Sequence, residues 1–197
     1  MFKVVDPVER REQIAEGVWR VIRRDGLASA SVRNVAAEAG LSQGSLRHFF
    51  GSQSELLVFS LRLAGERTRA RMQAAAETAG GGRDLVEAVV EAMVPVDHDR
   101  RIETEVWLAF LGAALSDPAL RALNDEIFDG MRQMFADVLD ELVESGHARP
   151  GIDLSYEADR LYAIVDGLAL HAIVRPEVVT PERLRSTLTR HLDELCR

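Results

Sequence analysis

Apolar residues recur at helical spacing along nearly the whole chain, and each run is bracketed by residues that start or stop helices. Asp6-Pro7 offers a cap followed by proline at the first helical position, with Glu9 placed to complete a capping box. Ile14, Val18, Val21 and Ile22 then form one stripe, and Gly26 ends it. Ser31 caps a shorter run in which Val32, Val35, Ala36 and Ala39 share a face. Gly40 supplies a left-handed turn residue, and Leu41 is placed to fold back on the helix it leaves. Ser42 caps the next run, whose Leu46, Phe49 and Phe50 point to a core. Ser52 and Glu55 make an S-x-x-E box just before Leu56 and Leu57.

Beyond this point the pattern predicts a long fourth helix from Gln53 to near Glu77, broken by Gly80-Gly81-Gly82. Leu56, Leu57, Leu61 and Ala64 face inward on it, and Arg62, Glu66, Arg67, Arg69 and Arg71 are expected to be largely solvated. A fifth helix is predicted over Asp84–Val94 and a sixth over Arg100–Leu115. Asp117-Pro118 opens a long seventh that stops before Gly146, and an eighth runs from about Ser155 to Val174. Thr180-Pro181 opens a ninth that carries Leu184, Leu188, Leu192 and Leu195 on one stripe. No segment alternates with the period of a strand. The expected fold is all-α with about nine helices: a three-helix head over residues 1–51, joined by the fourth helix to a helical body over 52–197.

Two short helices joined by a tight glycine turn form a helix-turn-helix, and the second presents small and polar residues on its first turn, as major-groove reading requires. Gln43, Ser45, Arg47 and His48 are the candidates for DNA contact there, since Gln reads adenine, Arg reads guanine and Ser reads base edges or phosphate. Ser42 caps that helix, and Gly44 lets its backbone approach a duplex closely. Ser31 and Arg33 offer a hydroxyl, helix-terminal N–H groups and a charge to the phosphate backbone.

The stretch SVRNVAAEAGLSQGSLRHFF, with the capped helix after it, resembles the TetR family of bacterial transcriptional repressors, densely from Gln13 to Leu57. VWLAFLGAAL and LYAIVDGLAL add some likeness to the betaine-regulator-like subgroup. Two positions depart from the family pattern. Arg47 stands where a phosphate-binding tyrosine is usual, and Gln53 stands where a lysine usually begins the fourth helix. The resemblance implies a homodimer on a near-palindromic operator, released by a small-molecule effector. The alternative is an interaction protein that keeps this fold without specific DNA binding, for which the lost charge at Gln53 is the support.

A net charge of −8 suits a DNA binder only once it is divided. Lys3 and seven arginines face six acids in residues 1–50, a net of +2, while the remainder carries 16 basic and 26 acidic side chains, a net of −10. The head is therefore the end that phosphate attracts. No apolar run is long enough to span a bilayer, the N-terminus lacks a signal-like stretch, and the single Cys196 fits a reducing cytoplasm. The five histidines are scattered, and no nucleophile elbow or phosphate loop is present, so neither an enzyme nor a resident metal or cofactor is expected.

In the body, Trp107, Phe110, Phe128, Phe135 and Tyr162 lie on three predicted helices, and the resemblance makes them candidates to line an effector cavity. Asp166, one turn beyond Tyr162, is a carboxylate in an apolar stretch that could meet a cationic ligand, an arginine across a dimer, or water. The last two helices are expected to form the dimer, through Leu168, Ala172, Leu184, Leu188 and Leu192.

Overall fold

The computed structural model describes residues 6–196, so Lys3 and the rest of the first five residues, with Arg197, lie outside the described residues. Within them the chain forms nine α-helices and no strand: α1 (Pro7–Asp25), α2 (Val32–Glu38), α3 (Gln43–Phe49), α4 (Gln53–Thr78), α5 (Gly82–Glu91), α6 (His98–Ala114), α7 (Pro118–Glu144), α8 (Leu154–Val174) and α9 (Pro181–Leu195). A single 3-10 turn, Leu27–Ser29, follows α1.

The helix starts are set by side-chain caps. Asp6 accepts from the Val8 N–H at 2.9 Å, Ser31 from Asn34 at 3.2 Å, Ser42 from Ser45 at 3.0 Å and Ser52 from Glu55 at 3.0 Å. The box at α4 is shifted by one residue, because the Glu55 carboxylate accepts from the Gly51 N–H at 2.9 Å. Gly40, at φ 65°, ends α2 in a Schellman motif: the Leu41 N–H reaches Ala36 O at 2.8 Å and the Gly40 N–H reaches Ala37 O at 3.2 Å. That motif turns the chain sharply enough to launch α3 two residues later.

The chain divides into two compact units. The first gathers the chain through Glu66 with Glu105–Asn124, and the second gathers Arg67–Thr104 with Asp125–Arg197. The first unit's core holds Ile14, Val18, Val21, Val35, Leu46, Phe50 and Leu56, all inaccessible to solvent. Trp19 is buried there too, its indole N–H donating to Ser60 O at 3.1 Å. The Arg11 guanidinium lies 4.7 Å from the ring centres of both Phe50 and Phe59, so α1 is held to the end of α3 and to α4 by a cation between two aromatic faces.

The second unit's core joins Val86 and Val90 of α5, Phe135, Leu139 and Leu142 of α7, Leu161, Val165 and Ala172 of α8, and Leu184, Leu188, Leu192 and Leu195 of α9. The leucine stripe of α9 packs inside the subunit, at 0%, 3% and 0% exposure for Leu184, Leu188 and Leu192. Ala172 is buried in the same core and Leu168 packs against it half-buried.

Two expectations shift. α5 begins at Gly82 rather than Asp84, because Gly81 and Gly82 take φ 85° and 55° and the Glu141 carboxylate accepts the Gly82 N–H at 2.8 Å. Arg71 is not solvated. It is half-buried and holds Glu103 of α6.

Candidate functional site

The recognition element is α3, and its exposure follows from its short core face. Leu46 is fully buried and Phe49 half-buried, while Gln43, Gly44, Ser45, Arg47 and His48 are exposed, as is the cap Ser42. The Ser42 hydroxyl accepts the Ser45 N–H and lies 2.9 Å from the Ser45 hydroxyl, so these two side chains order the first turn before any ligand arrives. At Gly44 an added Cβ would meet only the Ser42 hydroxyl, at 3.8 Å. The fold itself therefore leaves room for a side chain there.

The distribution of paired and unpaired arginines is the strongest electrostatic feature of the first unit. Arg20 and Arg24 both donate to Glu38 at 2.8 Å, and Arg24 also meets Asp25 at 2.9 Å. The hydrogen bonds from Arg24 and then Arg20 hold the Glu38 carboxyl below its ordinary range. Arg23 meets Glu105 at 2.6 Å, Arg10 donates to Gln13 at 3.0 Å, Arg11 lies between its two rings, and Arg62 is engaged as well. Among the described arginines through Glu66, Arg33 and Arg47 alone have no hydrogen-bond or ion partner. Both are exposed, Arg33 on the first turn of α2 and Arg47 on α3. Ser31 is half-buried and committed to capping α2.

Gln53 has an internal role that the sequence did not disclose. Its side-chain amide donates to Ala30 O at 3.1 Å, tying the start of α4 to the residue before the α2 cap.

The body candidates separate. Trp107, half-buried, and Phe110, at 2% exposure, belong to the first unit; Phe128, Phe135, Tyr162 and Asp166 belong to the second. In the second unit the Tyr162 ring stacks on Phe135 at 5.2 Å between centres and lies 5.3 Å from Phe128, which is 49% exposed. Phe135 is a core residue, so the accessible part of this cluster is Phe128 with the edge of Tyr162. Asp166 is half-buried and has no hydrogen-bond or salt-bridge partner among the described residues. Burial pushes its pKa up to about 6, and burial together with the Asp166 charge raises that of Tyr162. Two open clefts elsewhere, one beside Gly80–Gly82 and one beside Pro95–His98, are lined by none of the six candidates.

No group of three or more metal-ligating side chains occurs among the described residues, and no helix of theirs is long and apolar enough to cross a membrane.

Residues 14–58 match the model of the bacterial regulatory proteins of the tetR family, and residues 82–197 match that of the BetI-type transcriptional repressor C-terminal domain. The HTH-type transcriptional regulator PksA of Bacillus subtilis is 41% identical over 197 residues, covering all of this chain and 94% of the relative. The regulator BetI of Stenotrophomonas maltophilia is 28% identical over 97% of this chain and 94% of its own length. A transcriptional regulator from Rhodococcus sp. Rha1 superimposes with a TM-score of 0.81 at 30% identity, covering 94% of this chain and 95% of its own. One from Saccharomonospora viridis, solved in complex with choline, gives 0.85 at 26% identity over 94% of this chain and 96% of its own.

Proposed function

Because this chain belongs to the TetR family of bacterial transcriptional regulators, we propose that it is a repressor whose homodimer grips a near-palindromic operator and releases it when a small cationic molecule binds the body. The observation that carries the DNA half of this reading is the pair of unpartnered, exposed arginines, Arg33 and Arg47, in a head whose other arginines are engaged. A guanidinium with no internal acceptor keeps its full capacity for a phosphate or a guanine edge. Arg47 serves in place of the usual tyrosine, Gln43, Ser45 and His48 face base edges, and the α2 end with Ser31 and Arg33 faces the backbone. Gln53 gives no support to an interaction protein without DNA, since its amide serves Ala30 within the head.

Repression is supported by the repressor model that the C-terminal residues match. For the dimer, α8 offers the remaining apolar face: Tyr156, Leu170 and Val174 are exposed, and Ala163 and Gly167 lie between them at helical spacing. Two heads so joined read successive major grooves, about 34 Å apart. For the effector, Phe128, Tyr162 and the unpaired Asp166 offer ring faces and a carboxylate to a cation, and the choline-bound Saccharomonospora viridis relative points the same way.

The test is salt-dependent binding of the chain to its own upstream region, by anisotropy. Arg47→Ala should weaken binding by about 1–3 kcal/mol and flatten the salt slope by about one if it holds phosphate. Binding equal to the parent's at every salt concentration would remove Arg47 from the interface.

A further inference from the structure

The carboxylate of Glu38, at the end of α2, is the common acceptor of two arginines of α1. Arg20 Nε donates to Oε1 and Arg24 Nη1 to Oε2, both at 2.8 Å, so each oxygen is committed to one guanidinium. The Glu38 side chain is 20% exposed, against 49% for Arg20 and 59% for Arg24, so the cations meet solvent while the anion is largely covered. Asp25 holds Arg24 a second time, at 2.9 Å, which leaves Arg20 as the cation that Glu38 alone restrains among the described residues. This cluster lies close to the first turn of α2. The Ser29 hydroxyl donates to Asp25 O at 2.8 Å and the Asn34 amide to Ser29 O at 2.9 Å, which fastens the end of α1 to the turn that carries Arg33. Glu38 follows Arg33 by about 7.5 Å along the helix, inside the Debye length of about 10 Å at 0.1 M salt.

We propose that Glu38 is a specificity-determining residue: it withholds Arg20 and Arg24 from the phosphate backbone, so that affinity rests on Arg33, Arg47 and the base-facing side chains of α3. This rests on the reading above, in which the head binds DNA. A phosphate contact positions a protein but carries no sequence information, and it serves any duplex. The fork of a guanidinium fits a carboxylate or a phosphate, and Arg20 reaching a phosphate would leave the largely covered Glu38 carboxylate without one of its two partners. On a cognate duplex the base contacts of α3 fix the pose of the head. On an unrelated duplex nothing fixes it, and the head settles wherever its free cations best meet phosphates. Each cation that Glu38 restrains therefore lowers unrelated binding more than cognate binding. The ratio of the two, not the affinity itself, decides occupancy among many competing sites.

The test compares salt-dependent affinities for two duplexes, one selected from random sequence by the full parent chain and one unrelated to it. In Glu38→Gln the unrelated duplex should bind about fivefold tighter near 0.1 M salt, with a slope steeper by about one for the release of Arg20. The selected duplex should stay within about twofold of the parent's affinity. Arg20→Gln/Glu38→Gln frees no such cation and should return the slope on unrelated DNA to the parent's. Glu9→Gln removes an equal charge from the exposed first turn of α1 and releases no arginine, so it should leave that slope alone. An unchanged slope in Glu38→Gln, with or without a lower Tm, marks a purely structural ion pair and overturns the proposal. So does an equal gain on both duplexes, a double variant as steep as Glu38→Gln, or a Glu9→Gln chain that steepens as much. Failure to select any duplex overturns the DNA-binding reading itself, before a variant is made, and the proposal falls with it. Should Glu38→Gln not fold, Glu38→Asp keeps the charge but draws the carboxylate back from Arg20. Unrelated binding should tighten there too, and no change would count equally against the proposal.

Discussion

The side-chain amide of Gln53 donates to the carbonyl of Ala30 at 3.1 Å, so the residue that opens α4 fastens the loop that opens α2. An uncharged amide does here what an ammonium would trade for a phosphate. Gln53→Lys should steepen the salt dependence of operator binding by about one unit, by adding a cation at the duplex side of the head. Losing the bond to Ala30 should cost about 0.5–1.5 kcal/mol of stability. Binding titrations over a range of salt and a urea melt measure the two effects separately. An unchanged slope would place residue 53 away from the phosphates.

Gly44 gives a contrast between fold and function. The nearest atom to an added Cβ is 3.8 Å away, so Gly44→Ala should leave Tm unchanged or raise it slightly, since alanine gives up less backbone freedom than glycine on entering a helix. Operator affinity should nevertheless fall, because the methyl group occupies space the duplex needs. Equal affinity in both chains would mean that the backbone of α3 does not approach DNA closely at this point.

Two substitutions distinguish the two apolar stripes at the C-terminal end. Val174→Glu on the exposed face of α8 should give a folded monomer that has lost operator binding. Leu188→Ala on α9 should instead destabilise the subunit by about 2–5 kcal/mol, because Leu188 is buried in the core. Sedimentation and thermal melts read the two outcomes; a dimeric Val174→Glu chain would move the interface elsewhere.

In the effector site proposed above, Asp166 should make binding depend on acidity. Its folded pKa is raised to about 6, so the carboxylate is ionised at neutral pH and protonated in mild acid. Affinity for a cation such as choline should fall about tenfold per unit as pH drops below about 6. A raised carboxylate pKa favours folding below the unfolded value and loses that contribution as pH rises through the folded one. Asp166→Asn should thus be more stable than the parent at pH 8, with the advantage gone near pH 4. Calorimetry at several pH values tests both halves.

His191 acts in the opposite direction. It is 5% exposed on α9, neither ring nitrogen has a hydrogen-bond partner among the described residues, and burial, then the nearby Arg160, lowers its pKa. A histidine held neutral in the folded state supports stability above its unfolded pKa and withdraws that support as pH falls below it. Stability should therefore decline from about pH 6.5 downward, and His191→Leu should flatten that limb in urea melts.

The head was legible in the sequence because its signals are local. Ser31, Ser42, Ser52 and Gly40 act on residues within five positions of themselves, and the structure shows each as a cap or turn. What stayed hidden joins residues far apart in the chain. Nothing near Arg71 announces Glu103, nor does anything near Arg11 announce Phe50 and Phe59. The leucines of α9 show a different limit. Periodicity reveals that a face is apolar, but reads the same whether its cover comes from the same chain or another. The aromatic candidates fail to separate for a related reason: Phe135 fills a core and Phe128 meets solvent, though both occupy apolar positions of α7.

Because α9 closes the core of the second unit from within one chain, a single copy should be able to fold without a partner. Protein concentration then decides how many protomers are paired, not how many are folded. In the dimer proposed above, occupancy of a two-half-site operator rises more steeply than in proportion to the amount of protein made. A modest change in synthesis would thus act on transcription as a threshold, independently of any effector.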